Sequence, residues 1–154
     1  YWHFTNKLGS TETSFEEFFD LFCKGVSLSG PVWDHVLGYW KASLDKPQKV
    51  LCLKYEEMTQ EPAFNLKHLA EFLGCPISQE EETAGAVDEI LGLCSFDQMR
   101  NLEVNKSGTL GNLRNHAFFR NGKVGDWKND LPSEMAGRLD QITAQKFHGS
   151  GLDL

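Results

Sequence analysis

The chain has 154 residues, with 22 acidic and 15 basic side chains and a net charge of −7. This acidic balance argues against nonspecific nucleic-acid binding, which needs a broad basic face. Apolar residues make up 40% of the chain, and no apolar run approaches the ~20 residues that span a membrane. These properties predict one domain's worth of soluble globular protein.

The first residues and the cysteines indicate the setting of the chain. The sequence starts at Tyr1 without an initiator Met, a charged n-region or a signal-like apolar stretch, so we expect a fragment with no obvious targeting signal. The cysteines form no CxxC pair and no cluster with histidines; they are Cys23, Cys52, Cys75 and Cys94. We therefore expect free thiols in a reducing cytosol and no metal site.

Capping signals and apolar periodicity predict a mostly helical chain. Ser14 with Glu17, and Ser78 with Glu81, have the spacing of capping boxes at helix starts. The five predicted helices cover approximately residues 14–26, 31–46, 62–73, 78–93 and 132–146.

One strand is predicted, over Lys49–Tyr55, because this run is short, mostly apolar and followed by acidic residues, as in a buried parallel strand. A lone strand leaves its backbone groups without ladder partners, so the partners are expected upstream. Residues 101–130 lack periodicity, and segments of that length are usually functional or mobile.

The region 105–128 is a basic island in an acidic chain, with Asp126 as its one acid. Its five cations are Lys106, Arg114, Arg120, Lys123 and Lys128. Within it, the run 119–128 contains two glycines, which allow close backbone approach to a ligand, and an arginine, whose planar fork can grip phosphate. These features favour a small phosphorylated ligand, and the alternative is a glycine turn with a solvated basic edge.

Several stretches together resemble the cytosolic sulfotransferases, especially the plant type that includes the flavonol sulfotransferases. The matching stretches are Gly30–His35, Lys54–Met58, Cys94–Phe96, Asn101–Asn105 and Phe119–Lys128. The resemblance implies an α/β fold, the C-terminal half of a P-loop-type parallel-sheet sulfotransferase fold, mostly helical in this fragment. Residues 1–154 would then form a partial sulfotransferase domain, with the upstream phosphosulfate loop and catalytic half absent.

The activity implied by this resemblance is transfer of a sulfuryl group from 3′-phosphoadenosine 5′-phosphosulfate (PAPS) to a hydroxyl of a small acceptor such as a flavonoid, steroid or related hormone. It implies a cytoplasmic enzyme without a metal, and a fragment that is inactive alone. The chain's histidines are scattered, so none is assigned as the catalytic base; they are His3, His35, His68, His116 and His148. No catalytic residue is assigned.

The family's 3′-phosphate loop corresponds here to Phe118, Phe119, Arg120, Asn121 and Gly122. The resemblance implies that Arg120 pairs with the phosphate and that the backbone N–H groups at Asn121 and Gly122 donate to it. Asn121 stands where the family commonly has lysine, which removes one positive contact.

The adenine contacts implied by the resemblance are Tyr55, Cys94, Ser95, Phe96 and Met99. Phe96 would stack on the base, and Cys94 stands where many relatives have threonine. Core packing explains Tyr55, Phe96 and Met99 about as well from spacing alone.

Two further features follow the family pattern less closely. Phe4 aligns with an acceptor-pocket aromatic residue, and residues 105–117 resemble a mobile lid over the acceptor. Of the dimerisation motif of some relatives only Lys128 persists, because Pro132–Ser133 and Gly137 replace its other members. We therefore expect a monomer.

Two other functions stay open at this point. The chain could be a non-catalytic truncated or degenerate paralogue that binds a nucleotide or a partner helix through its Phe-rich face. It could also belong to a P-loop nucleotide kinase, which would need an upstream GxxxxGK[ST] loop. Whatever the function, the isolated chain is expected to expose apolar faces and to be poorly soluble or molten.

Overall fold

The computed structural model describes residues 1–8, 13–111 and 113–152. The α-helices are α1 Trp2–Leu8, α2 Phe15–Cys23, α3 Val32–Asp45, α4 Tyr55–Gln60, α5 Pro62–Phe72, α6 Gln79–Thr83, α7 Ala86–Leu93, α8 Phe96–Asn101, α9 Glu103–Ser107 and α10 Ser133–Phe147. The strands β1 Thr109–Leu110 and β2 Leu113–Arg114 pair antiparallel, and 3₁₀ turns cover Asn115–Phe118 and Asp126–Asn129. The chain divides into two compact units, residues 1–52 with 123–154, and residues 53–122.

The core of the first unit lies around the packed helices α3 and α10. Its buried apolar side chains are Phe19, Trp33 and Phe147. The indole Nε1 of Trp33 donates to Oγ1 of Thr143 at 2.9 Å, so a buried aromatic residue also satisfies its polar group. The helices predicted for 31–46 and 132–146 are confirmed, because α3 covers Val32–Asp45 and α10 covers Ser133–Phe147.

Helix α2 begins as the sequence predicts and ends earlier. The Ser14 hydroxyl accepts from the N–H of Glu17 at 3.1 Å, which caps the first turn. The helix ends at Cys23, and Gly25 then takes a φ of +80°. The predicted extension to Val26 is therefore wrong, because the left-handed glycine ends the helix first.

Arg138 links α10 to α2 in the first unit. Its guanidinium donates to Oδ1 of Asp20 at 2.6 Å and lies 5.5 Å from the ring centre of Phe19. The neighbouring Cys23 is partly buried, and burial raises the pKa of its thiol; the charge of Arg138 opposes that rise and Asp20 adds to it. The four cysteines form no disulfide.

The second unit is organised around α5, which packs against α4 and α7. Buried Asn65 on α5 donates through Nδ2 to the carbonyls of Glu57 and Glu61, at 3.1 and 3.0 Å. Because a buried amide is stable only when hydrogen-bonded, these contacts fix the corner between α4 and α5.

The helix predicted over 78–93 is two helices. The capping box is complete, since Ser78 Oγ accepts from Glu81 N–H at 3.2 Å and Glu81 Oε2 accepts from Ser78 N–H at 2.8 Å. Gly85 has a φ of +86°, which ends α6 and precedes the first residue of α7. A continuous helix is the wrong prediction here because glycine permits this break.

The predicted strand over Lys49–Tyr55 does not form. Residues 50–54 have no regular secondary structure, Cys52 and Lys54 are exposed, and Tyr55 is the first residue of α4. In the part of the chain that the structure describes, the only paired strands are β1 and β2. The physical reason is that the backbone groups of a strand must pair with a neighbouring strand, and the described residues supply none for this run.

Candidate functional site

The predicted phosphate loop follows directly after a 3₁₀ turn in the second unit. The N–H of Phe119 donates to the carbonyl of His116 at 3.1 Å, which closes that turn. Arg120 and Asn121 then lie exposed, and Gly122 takes a φ of +63°. The loop thus has a glycine in the left-handed region and an arginine on the surface, as expected of a segment that receives an anion.

Gly122 lies directly against the ring of Phe96. A Cβ atom placed on Gly122 would be 2.5 Å from Cδ2 of Phe96, closer than two carbon atoms can approach. The ring of Phe119 packs edge-on against Phe96, with centroids 5.7 Å apart. The structure therefore brings the predicted phosphate loop and the predicted adenine segment into contact.

Tyr55 reaches the same loop from α4. Its hydroxyl donates to the carbonyl of Gly122 at 3.5 Å, a long hydrogen bond. The Tyr55 residue is 54% exposed. Tyr55, Phe96, Phe119 and Gly122 form one cluster.

The remaining predicted adenine residues flank Phe96 in the chain. Ser95 is the N-cap of α8, and its hydroxyl accepts from the N–H of Gln98 at 3.3 Å. Cys94 is exposed, and the Met99 side chain is 38% exposed. Of these polar groups, the Ser95 hydroxyl oxygen is already engaged in helix capping.

Other predicted residues lie outside this cluster. Phe118 is 49% exposed, next to Phe119 in the chain. Phe4 is on α1 in the first unit, and the cluster lies wholly in the second. The basic island is also divided, with Lys106, Arg114 and Arg120 in the second unit and Lys123 and Lys128 in the first.

Three residues near the site belong to the stretch expected to form the acceptor lid but had no individual role in the sequence analysis: Asn105, Gly108 and Asn115. The two amides donate to the backbone carbonyls of Met99 and Val104, and Gly108 packs where a side chain does not fit. The available signal was the repeated asparagine and glycine in a segment without periodicity.

Three of the histidines have side-chain contacts in the described residues. His3 Nε2 lies 3.0 Å from Oδ2 of Asp130, and His35 and His68 pack against aromatic rings of their own helices. Within the described ranges, no group of three or more His, Cys, Asp or Glu side chains is placed to hold a metal ion. Among those same residues, no helix has the length and apolar character needed to cross a membrane.

The chain belongs to the sulfotransferase family, because residues 1–151 match the family described as "Sulfotransferase domain". It is 52% identical over 156 residues to "Cytosolic sulfotransferase 5" of Arabidopsis thaliana, covering 99% of this chain and 48% of that relative. It is 46% identical over 162 residues to "Flavonol 3-sulfotransferase" of Flaveria bidentis, covering 100% of this chain and 52% of that relative. The chain thus spans about half the length of these relatives.

Solved structures give the same family and confirm the fold prediction. A mouse sulfotransferase, SULT7A1, complexed with PAP has a TM-score of 0.76 and 27% identity, covering 97% of this chain and 54% of that one. A putative steroid sulphotransferase from Arabidopsis thaliana has a TM-score of 0.66 and 34% identity, covering 99% of this chain and 41% of that one.

Proposed function

We propose that the protein transfers a sulfuryl group from PAPS to a hydroxyl of a small acceptor such as a flavonoid, steroid or related hormone. This chain would supply the contacts to the 3′-phosphate and the adenine and part of the acceptor pocket. The observation that carries the proposal is the close approach of Gly122 to Phe96, which joins an arginine-bearing glycine loop to an aromatic platform.

That juxtaposition suits a 3′-phosphorylated adenosine. Adenine and the 3′-phosphate are joined through one ribose, so a protein that binds both needs a base platform and an anion loop side by side. Arg120 would pair with the phosphate through its planar fork, and the backbone N–H groups of the exposed residues Asn121 and Gly122 would donate to it. Phe96 would stack on the base, with Tyr55, Cys94, Ser95, Met99, Phe118 and Phe119 around it.

The chemical step proposed for the whole protein is an in-line displacement at sulfur. The acceptor oxygen forms a new S–O bond while the bond from sulfur to the 5′-phosphate oxygen breaks. The hydroxyl proton passes to a base, and adenosine 3′,5′-bisphosphate leaves. Such chemistry depends on positioning and on preorganised donors. Residues of this chain would hold the donor nucleotide, and Phe4 would contact the acceptor.

The proposed setting is a cytoplasmic enzyme that acts as a monomer on small hydroxylated molecules. Named relatives are cytosolic sulfotransferases, which supports the compartment. The acidic net charge of −7 supports a small-molecule partner over a nucleic acid.

Calorimetric titration of adenosine 3′,5′-bisphosphate into the natural full-length protein tests the proposal, with 5′-AMP as the comparison ligand. Arg120→Ala should weaken binding of the bisphosphate by about 1.5–3 kcal/mol, because a charge-assisted contact is lost. It should leave 5′-AMP binding nearly unchanged.

Arg114→Ala is the matched control, since it removes the same charge from the same basic island and from an exposed position. It should change binding of the bisphosphate by less than about 0.5 kcal/mol. Equal losses in both variants would indicate a diffuse electrostatic effect and would argue against a specific phosphate loop.

A sulfotransferase assay with PAPS and a panel of flavonols, sterols and hydroxylated fatty acids tests the activity itself. Binding of the bisphosphate without turnover of any acceptor would favour the non-catalytic paralogue. If the protein binds neither nucleotide, a partner-binding role is favoured over the sulfotransferase proposal.

A further inference from the structure

The adenine segment and the phosphate loop are separated by a long connection. Met99 ends the adenine segment and Phe118 begins the phosphate loop, and the sequence between them has no periodicity. A flexible connection of about 20 residues carries a closure entropy that a ligand bridging its ends would have to overcome. The structure shows how this connection is shortened.

Asn105 closes the first half of the connection. Its Nδ2 donates to the carbonyl of Met99 at 2.7 Å, across the corner between α8 and α9. The N–H of Leu102 donates to the same carbonyl at 3.3 Å, so two donors converge on one acceptor. α9 is thereby fixed to the last turn of the helix that carries Phe96.

Asn115 closes the second half. Its Nδ2 donates to the carbonyl of Val104 at 2.8 Å, and its backbone N–H donates to the carbonyl of Gly108 at 2.9 Å. Asn115 is also the first residue of the 3₁₀ turn that leads into Phe119. The turn before the phosphate loop is thereby attached to α9.

Gly108 provides independent support, because the local packing leaves no room for a larger residue. A Cβ there would lie 2.2 Å from the carbonyl oxygen of Val104 and 2.8 Å from Nδ2 of Asn115. The φ of Gly108 is −73°, which any residue adopts, so this glycine is needed for space and not for conformation. The atoms it would strike are those of the Asn115 hydrogen bond.

We infer that Asn105 and Asn115 act as an asparagine latch, two positioning residues that hold the phosphate loop at a fixed place relative to the adenine platform. This inference rests on the proposed function. The latch residues do not touch the nucleotide. They order the connection in advance, so a ligand that bridges the two segments pays a smaller entropy cost on binding.

Nucleotide binding by Asn105→Ala and Asn115→Ala in the natural full-length protein tests the latch. Each substitution should lower the affinity for adenosine 3′,5′-bisphosphate about fivefold, which is the effect of losing one hydrogen bond of ordinary strength. The affinity for 5′-AMP should stay within about twofold of the wild-type value, because this ligand lacks the 3′-phosphate that would engage the loop. The double variant should lose less than the product of the single effects, since both residues act on one connection.

Asn101→Ala is the matched control. The Asn101 amide donates to the carbonyl of Asp97 at 2.8 Å, within α8 itself, so it spans no connection. Its removal should leave the ratio of the two nucleotide affinities unchanged. Gly108→Ala should reproduce the loss of bisphosphate binding, whereas Gly92→Ala, where a Cβ meets no described atom within 4 Å, should not.

Hydrogen exchange separates failure of the latch from failure of the proposed function. The Phe119 amide should exchange about fivefold faster in Asn115→Ala and Asn115→Asp than in the wild type or Asn101→Ala. An unchanged exchange rate at Phe119, or an equal loss of affinity for both nucleotides, would overturn the latch inference even if the wild type binds the bisphosphate. A wild type that binds neither nucleotide would overturn the proposed function and this inference together.

Discussion

At the residue scale, Gly122 shows two separate reasons for a glycine at one position. Its φ of +63° is unfavourable for a residue with a side chain, and the ring of Phe96 occupies the space of a Cβ. The sequence motif predicted a glycine loop at this position. It did not predict the partner ring, because Phe96 is far along the chain and the contact depends on the path between them.

Gly122→Ala should lower the free energy of unfolding by about 2–5 kcal/mol, from backbone strain together with overpacking. Gly111→Ala is the control, because Gly111 has a φ of +60° but a Cβ there meets no described atom within 4 Å. Gly111→Ala should lower the free energy of unfolding by only about 1–2 kcal/mol. The measurement is chemical denaturation of the natural full-length protein, and equal losses would show that the contact with Phe96 adds nothing.

At the element scale, local signals predicted the helices well and the strand badly. Caps and apolar spacing are properties of neighbouring residues, so α5 and α10 lie where the sequence predicts them. A strand is stabilised by a partner elsewhere in the chain, and the apolar run at 50–54 stays unpaired within the described residues. The short helices α8 and α9 and the strands β1 and β2 were missed because elements of two to six residues give no apolar periodicity to detect.

The same reasoning explains what the sequence could predict of the site. The residues of the phosphate loop and adenine segment came from resemblance, and the structure places Tyr55, Phe96, Phe119 and Gly122 in contact. Their roles toward a nucleotide remain proposals. The only sequence signal for the latch amides was the repetition of asparagine in a segment without periodicity, because nothing local shows that Asn115 bonds a carbonyl 11 residues away.

Ser78→Ala should lower the free energy of unfolding by about 1 kcal/mol, because the capping box of α6 is lost. Thr83→Ala is the matched control at the other end of the same helix, where the hydroxyl donates only to the carbonyl of Gln79. Its effect should stay within about 0.5 kcal/mol. Urea denaturation of both variants measures these effects, and indistinguishable midpoints would contradict a stabilising role for the cap.

At the scale of the whole molecule, apolar exposure is the dominant feature. Among residues 1–8, 13–111 and 113–152, six apolar side chains are buried and twenty large ones are exposed, which is too small a core for a chain of this length. Leu28, Phe64 and Leu110 are 71%, 65% and 69% exposed. Such surfaces favour association or loose packing when nothing covers them.

The chain of 154 residues expressed alone should therefore be poorly soluble or molten. We expect strong binding of a hydrophobic dye and broad, poorly dispersed amide NMR signals, as in other compact states without fixed packing. The natural full-length protein serves as the comparison. Sharp, dispersed amide signals from the isolated chain would contradict this prediction.

The division of the chain into two units has a consequence for how such proteins diversify. Every residue proposed to contact the donor nucleotide lies in the single continuous stretch 53–122, whereas Phe4 belongs to the other unit. A recombination event with crossovers at the two borders of this stretch would exchange the proposed donor contacts as one inherited block. That block would also carry residues 105–117, the stretch predicted to form an acceptor lid, and would leave Phe4 behind.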